Sequence, residues 1–451
     1  MLKSSLSCAK KIRNGLVVSV TILLLLSGCM SQNNSASGEQ QVLRIALADS
    51  NGYANALGDY LTAAFPDLKV ELVEMEPDYK PVSIDQYEKK LRSEKPDLLL
   101  LGFSGKYAKL AADGMLEDVA VRLRASEMKE EDFYPGMIEK LRRDGGGNLY
   151  ALAPAFQASV LYYNADLFRK YGIEPPRNGM TIMDVMRMAG DFAQAGSHKD
   201  EVVGYHQPLG SMPNSLLFTM SSAEGLQSYN FKTGKVTMDS PAWRKLIETV
   251  VDLYKKGAFL MQDIKGDNVD GTVYYGPEEM SEADLFKKGK SAMTLASYNE
   301  FDGLPFEVGM VTPPVSSMDT NRTDYLGIYD YMAIPAGARN ADTAWQVIAF
   351  MMSDYVAKVK AGIRDTYSMP ANKAYLTYDR EPMLPSLYEL LPSVDSIGSM
   401  EGYDPKFMQL FQELEDREIM AAVNGEQSVE ACIAAIQKEG QALLDAAKLT
   451  K

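Results

Sequence analysis

From Val42 onward the chain alternates between short apolar runs and segments whose apolar residues recur at helical spacing. Val42 to Ala48 reads as a strand that ends at the turn-forming run Asp49-Ser50-Asn51-Gly52. Leu57, Tyr60, Leu61 and Ala64 then share one face of a helix that stops before Pro66, since the residue ahead of a proline is driven out of the helical region. Lys69 to Glu74 alternates as a strand with Val70 and Leu72 on one face. Ser83 and Gln86 have the spacing of a capping box at the start of the next helix. Leu98-Leu99-Leu100-Leu101 is an unbroken apolar run, as a strand covered on both faces requires, and Gly102 to Asp113 gives a loop and a helix closed at Gly114. This alternation predicts a parallel α/β sheet. Ligands of such sheets bind beyond the carboxyl ends of the strands, so the loops at Asp49 to Tyr53 and Phe103 to Lys106 are the first candidate site.

A strong turn signal, Asp144-Gly145-Gly146-Gly147-Asn148, opens a second region. Thr181 caps a helix with Ile182, Val185, Met186, Ala189, Phe192 and Ala193 on one face. Asp239-Ser240-Pro241 starts another that buries Leu246, Ile247, Val250 and Tyr254 and ends at Lys255-Lys256-Gly257. Ser281 to Gly289 reads as a further helix carrying Leu285 and Phe286. Later, Trp345, Ile348, Ala349 and Met352 share a face, as do Val429, Cys432, Ile433 and Ile436, which makes Cys432 a small buried apolar residue. Neither an internal repeat nor a tidy linker is visible, which fits lobes built from interleaved segments.

The ends change the picture. Residues 1–28 hold Lys3, Lys10, Lys11 and Arg13, an apolar stretch around Leu16 to Leu26, and then Leu26-Ser27-Gly28-Cys29, the order of an export signal with a small-residue cleavage site. The apolar stretch is shorter than the roughly 20 residues a spanning helix needs. Residues 29–41 read as a flexible, solvated tether. Loss of residues 1–28 removes four basic and no acidic side chains and takes the formal net charge from −15 to −19. So acidic a surface argues against nucleic acid, whose binding rests on neutralising phosphates, and against basic attraction to anionic lipid. Of the three cysteines, Cys8 leaves with the signal and Cys29 is spent at the new terminus, so Cys432 has no intramolecular partner. The fold must rest on its core rather than on disulfides.

Leu26-Ser27-Gly28-Cys29 resembles the lipobox of bacterial lipoproteins, which implies acylation of Cys29 and attachment to the outer face of the cell membrane. Asn148 to Pro154 with Val160 to Phe168 and Tyr171-Gly172-Ile173, then Phe286 to Met293, Tyr331 to Gly337 with Ala344-Trp345 and Phe350 to Met352, and Asn424 to Val429 resemble, in order, the extracellular solute-binding proteins of bacterial ABC importers, specifically the maltose-binding-protein-like group. The resemblance implies a two-lobed α/β fold of the periplasmic-binding-protein kind with three hinge crossings, expected near Pro154, Val311 and Ser353. The first lobe would hold residues 42–154 and 311–353, and the second residues 155–310 and 354–451. A monomer that captures a small solute, an oligosaccharide, and hands it to ABC permease subunits follows from the same resemblance. It implies ligand-contact positions at Gln157, Phe103, Ser104, Tyr298, Asn299 and Tyr403, with Asp49 and Asn51 at the exit of the first strand and His206 in a loop of the second lobe. The family commonly has a tryptophan at Tyr298, a departure that bears on the stacking arrangement.

Catalytic chemistry is thin. With His198 and His206 as the complement of histidines, a histidine-rich metal site or a conventional triad has little to build on. Gly266 to Gly271 resembles part of a calcium loop, but Gly266 replaces the first acidic ligand and Pro277 the last. Gly145-Gly146-Gly147 lacks the pattern of a phosphate loop and reads as a turn. No metal or cofactor is expected. Sugar recognition asks for aromatic faces and fixed polar groups; Trp243 and Trp345 lie in amphipathic helices, so the 25 tyrosines are the better supply. Two other classes stay open at this point. A lipid-anchored polysaccharide-processing enzyme would need two carboxylates facing across a cleft, and a signalling receptor would bind solute without importing it.

Overall fold

The strand and helix alternation folds as an α/β sheet in a computed structural model, which describes residues 42–50, 53, 57–77, 80, 82–102, 104–208, 212–231, 233–262, 264–269, 272–363, 368–377, 381–393 and 405–449. The expected signal at 1–28 and the expected tether at 29–41, with Cys29, lie outside the described residues. The strands that organise the fold are β1 (Val42–Leu47), β2 (Lys69–Glu74), β3 (Leu98–Leu101), β4 (Ala151–Leu152), β5 (Ala155–Asn164), β6 (Val203–Tyr205), β7 (Ser291–Ser297), β8 (Val308–Val311), β9 (Leu326–Ile328), β10 (Tyr331–Ala333) and β11 (Met369–Pro370). Helix α1 (Asp59–Ala64) joins β1 to β2, α2 (Ile84–Glu94) joins β2 to β3, and α3 (Ser104–Ala112) follows β3.

The first sheet has the order β2-β1-β3-β10-β4. β1 pairs in parallel with β2 and β3, while β10 runs antiparallel between β3 and β4. The leucine run of β3 is covered on both faces, Leu98, Leu99 and Leu101 being almost fully buried. Ser83 and Gln86 make the capping box that starts α2, and Gly114, at a φ of 64°, takes the left-handed angle that ends the turn after α3. Asp97, 2% exposed, fastens three elements. Its carboxylate accepts from the Arg44 N–H of β1 at 3.0 Å, and from the Asn340 N–H at 3.0 Å and side-chain amide at 3.1 Å. Asn340 opens the helix Ala341–Met351, so β1, the approach to β3 and that helix close on one buried charge.

The second sheet has the order β8-β5-β7-β6, with β7 antiparallel to β5 and parallel to β6. One of its faces, with Leu161, Met293, Leu295 and Val311, packs into a second core with the helices Ile182–Gln194 and Pro241–Lys255. The first of these has the expected Thr181 cap, and Ser240 caps the second. Trp243 is packing, 2% exposed. Cys432 is fully buried, and burial pushes its thiol up to about 12. On the opposite face of β5, Val160 and Tyr162 belong to the first core, as alternation along a strand requires.

Three expectations change. The helix expected over Ser281 to Gly289 is Pro277–Ala283, and Leu285 and Phe286 follow it in turns, because Pro277 sets the helix start four residues early. In Ala341–Met351 the buried face is Ala344, Val347, Ile348 and Met351, so Trp345 sits at its half-buried margin. The third crossing is not at Ser353: Val356, Met369, Tyr375, Leu384, Tyr388 and Leu390 stay with the first core, and the second core resumes at Phe407. These apolar residues pack on the first core where the expected boundary had the chain leaving.

Candidate functional site

Two features position the site. At the carboxyl ends of β1 and β2 the parallel pairing continues through Met75 N–H to Leu47 O, 2.8 Å, and Glu76 N–H to Ala48 O, 2.7 Å. This sets Asp49, 5% exposed, beside Glu76. Ser50 donates its hydroxyl to Glu74, and the Val82 N–H donates to Glu76 Oε1 at 3.2 Å. Lys106, in the first turn of α3, pairs with Glu76 Oε2 and stands 5.0 Å from the centre of the Tyr87 ring. Burial pushes the Tyr87 hydroxyl up, and the Glu76 charge adds to the effect.

The second feature is the hinge. β5 begins directly after Pro154, and its first residues are paired on both edges: by β9 through Leu326↔Ala158, Gly327↔Gln157 and Ile328↔Phe156, and by β11 through Met369↔Phe156 and Pro370↔Ala155. Three connections thus meet in one short ladder between the two sheets. Between β9 and β10 stand Tyr329, 41% exposed, and Asp330, which has a φ of 56°. Asp330 is open to water, and nearby protein raises its carboxyl above the usual range by desolvation, with Lys360 opposing. Lys360 also faces the Tyr60 ring at 5.9 Å.

The expected contact residues divide. Gln157 is exposed on the hinge strand, Asp49 lies at the strand ends, and Ser104 opens α3. Asn299 follows β7 in the left-handed conformation that asparagine tolerates, at a φ of 67°. Tyr298 is a correction: it is 2% exposed, its N–H donates to Ala158 O at 2.9 Å, and its hydroxyl lies 3.4 Å from that of Tyr375. It braces the hinge from below and offers no face to a solute. His206 is another, being 2% exposed with Nε2 2.6 Å from the Ala283 carbonyl oxygen. Burial lowers its pKa, so the ring is neutral at neutral pH and its N–H is spent on backbone. Asn51, Phe103 and Tyr403 lie outside the described residues. Glu76, Tyr329 and Asp330, which stand at the strand ends and the hinge, were not singled out in the sequence. An aspartate between two short apolar runs, Leu326 to Ile328 and Tyr331 to Ala333, was the available signal for Asp330, and Glu76 gave none.

Two open cavities, about 440 Å³ near Ile173, Arg177 and Met188 and about 460 Å³ near Leu226, Asn230 and Trp243, lie elsewhere on the second-core side and include none of these residues.

Residues 47–358 match the family model for bacterial extracellular solute-binding proteins. The sn-glycerol-3-phosphate-binding periplasmic protein UgpB of Brucella abortus is 23% identical over 284 residues, 58% of this chain and 59% of that protein. The chain spans about six-tenths of the length of the curated relatives it matches. Among solved structures, an extracellular solute-binding protein of family 1 from Alicyclobacillus acidocaldarius superposes with a TM-score of 0.61 at 14% identity, covering 91% of this chain and 100% of that one. Lmo0181 of Listeria monocytogenes, an ABC substrate-binding protein in complex with cycloalternan, superposes with a TM-score of 0.52 at 18% identity, covering 90% and 100%. At such identities the superpositions speak for the fold, which is the two-lobed one; the family match covers well over half of the chain. The chain belongs to the bacterial extracellular solute-binding proteins, and it is a binding protein rather than an enzyme.

Proposed function

We propose that this chain is the lipid-anchored capture subunit of an importer, taking an oligosaccharide into the cleft between its lobes and delivering it to a membrane permease. The hinge ladder carries this reading. Three backbone connections converge on Ala155 to Ala158, so the two sheets can rotate about one short segment while each core stays packed. Open and closed states of such a pair differ modestly in free energy, and a solute that touches both lobes favours the closed one. Closure then gives the permease a surface that the empty protein does not hold. The oligosaccharide assignment is supported by exposed tyrosine at the hinge, by carboxylates and carboxamides suited to hydroxyls, and by the cycloalternan bound to the Listeria protein. Calorimetry with a panel of neutral di- and trisaccharides, paired with small-angle scattering, tests it. A sugar should bind with an accompanying fall in radius of gyration; binding without compaction would remove the hinge, and silence across the panel would remove the oligosaccharide.

The Leu26-Ser27-Gly28-Cys29 pattern supports acylation of Cys29. One acyl chain holds weakly, so stable attachment asks for more than one. A Cys29→Ala change should release from the membrane a protein that still binds its solute, as fractionation and titration of the released material would show. Continued membrane association would dismiss the anchor.

A further inference from the structure

We infer that Arg322 sets the angle between the two lobes and, through that angle, the affinity for solute, a role that rests on the hinge reading proposed above. Arg322 stands in the connection from β8 to β9, which is fastened to the second lobe where it begins. The Thr312 N–H donates to Asn178 Oδ1 at 3.0 Å, and the Thr312 hydroxyl accepts from the Gly179 N–H at 3.0 Å. The Val315 N–H donates to the Met180 carbonyl at 2.9 Å, and Ser317 donates its hydroxyl to Glu224. Asn178 to Thr181 lead into the helix Ile182–Gln194 of the second core. The connection then turns back on itself, with the Ser316 N–H on the Arg322 carbonyl at 2.8 Å and the Thr323 hydroxyl on the Pro314 carbonyl at 2.7 Å. The Val315 side chain is fully buried in the first core, so this turn is wedged between the lobes.

At its far end the turn meets the last crossing, which passes from Leu390 in the first core to Phe407 in the second. Arg322–Thr323 and Leu391–Pro392 pair in parallel there, through the Leu391 N–H on the Asn321 carbonyl at 2.8 Å and the Ser393 N–H on the Thr323 carbonyl at 3.0 Å. Arg322 spreads its guanidinium over three partners. Nη1 donates to the Pro392 carbonyl at 2.8 Å, Nη2 pairs with Glu139 at 2.7 Å, and Nε with Asp319 at 3.2 Å. Glu139, which also has Arg143 Nη1 at 3.7 Å, belongs to the helix Pro135–Asp144, whose Met137, Ile138 and Leu141 lie in the first core. That helix abuts the last crossing: Tyr134 donates its hydroxyl to the Leu390 carbonyl at 2.7 Å, and a Cβ on Gly136 would stand 2.7 Å from Cδ of Pro392. A planar fork can serve a carbonyl and two carboxylates at once, which the point charge of a lysine does not. The clasp thus ties a segment fastened to the second lobe to a helix of the first, and rotation about the Ala155 to Ala158 ladder changes its geometry. A contact made better at one angle weights that angle, and the apparent affinity follows the fraction of chains in the competent state. Arg322 therefore acts on the solute through the lobes, as a positioning residue.

Spin labels at Val121→Cys, on the first lobe, and Lys245→Cys, on the second, both exposed, report the distance between the lobes in the solute-free Cys29→Ala chain. Arg322→Met and Glu139→Gln should each shift or broaden the wild-type distance distribution, and the two together should change it no more than Arg322→Met alone, since both remove one contact. The pair is 19% and 36% exposed, so raising the ionic strength should move wild type toward the variants and leave the double variant where it is. Calorimetry with the solute that wild type binds should give Arg322→Met a Kd at least about threefold away from wild type. A residue that merely supported the fold would lower the urea midpoint and leave both the distances and the Kd of the folded protein as they were. Unchanged distances in folded Arg322→Met and Glu139→Gln overturn the clasp, and shifted distances with an unchanged Kd overturn its hold on affinity. Should no sugar bind at all, the oligosaccharide reading fails while the distances still decide the role of Arg322. An Arg322→Met chain that does not fold leaves the decision to Glu139→Gln, which keeps the shape of the side chain and removes its charge.

Discussion

Gly327 offers the most direct way to ask whether the solute lies against the hinge. It pairs with Gln157 across the ladder, and a Cβ placed on it would stand 2.5 Å from Cε2 of Tyr329 and 3.1 Å from its Cζ and hydroxyl oxygen. No left-handed backbone angle is involved, so the conflict is one of space alone. Gly327→Ala must therefore turn the Tyr329 ring. Because that ring is 41% exposed it can swing into solvent without opening a core, and the cost to folding is that of leaving a favoured rotamer, on the order of 0.5–1.5 kcal/mol. If Tyr329 packs against the solute, the loss to binding is one aromatic contact, about 1 kcal/mol, or roughly fivefold in Kd. Calorimetric titration with the wild-type solute and urea unfolding of the same samples separate the two effects. Tyr329→Ala should weaken binding as much as Gly327→Ala does, and Tyr329→Phe should restore it. Unchanged affinity in both Gly327→Ala and Tyr329→Ala would take the solute away from the hinge and refute the reasoning.

Three further outcomes follow from the packing. Asp97→Ala removes the acceptor of the part-buried Arg44 and Asn340 N–H groups at the edge of the first core and should cost roughly 1–3 kcal/mol in urea unfolding, with near-wild-type stability showing that the network does not hold the sheet. Burial pushes the Glu415 carboxyl up to about 7 from an ordinary 4.5, against the Ser228 hydrogen bond of 2.9 Å. The native state thus keeps a proton that the unfolded chain has lost, and stability falls as pH rises from the one value through the other, by roughly 3 kcal/mol in full. Glu415→Gln should match wild type near the lower value and exceed it by up to that amount at alkaline pH; parallel stability curves would contradict the assignment. Tyr298→Phe should leave solute affinity within about twofold, since the ring is core and its hydroxyl meets Tyr375, and a tenfold loss would return Tyr298 to the site.

Local chemistry was readable wherever it was decided by near neighbours. The Ser83 and Thr181 caps, the Ser240-Pro241 helix start, the apolar β3 and the buried Cys432 each follow from a few adjacent residues, and the structure has them as expected. The expected helix over Ser281 to Gly289 failed on the same local ground, where Pro277 outweighed the apolar pair Leu285 and Phe286.

What lay beyond the sequence was pairing between distant segments. β11 is two residues long, Met369 and Pro370, and nothing in that pair announces that it joins the hinge by lying against Ala155 and Phe156. Once it does, the residues behind it are committed: Tyr388 packs edge-on to Phe156 at 5.1 Å, Tyr134 stacks on Phe156 at 4.3 Å, and Tyr388 donates its hydroxyl to the Pro370 carbonyl at 2.6 Å. Those contacts keep Met369, Tyr375, Leu384, Tyr388 and Leu390 with the first core. The site residues fared likewise. Tyr298 had the right place in the chain for a stacking platform, but the third segment supplies Tyr375 beneath it and turns it into support. The exposed tyrosine at the hinge is then Tyr329, which Gly327 makes room for. An exposed aromatic ring at the hinge thus stands in the connection between β9 and β10 rather than at the end of β7, where Tyr375 and the ladder of β9 and β11 bury Tyr298.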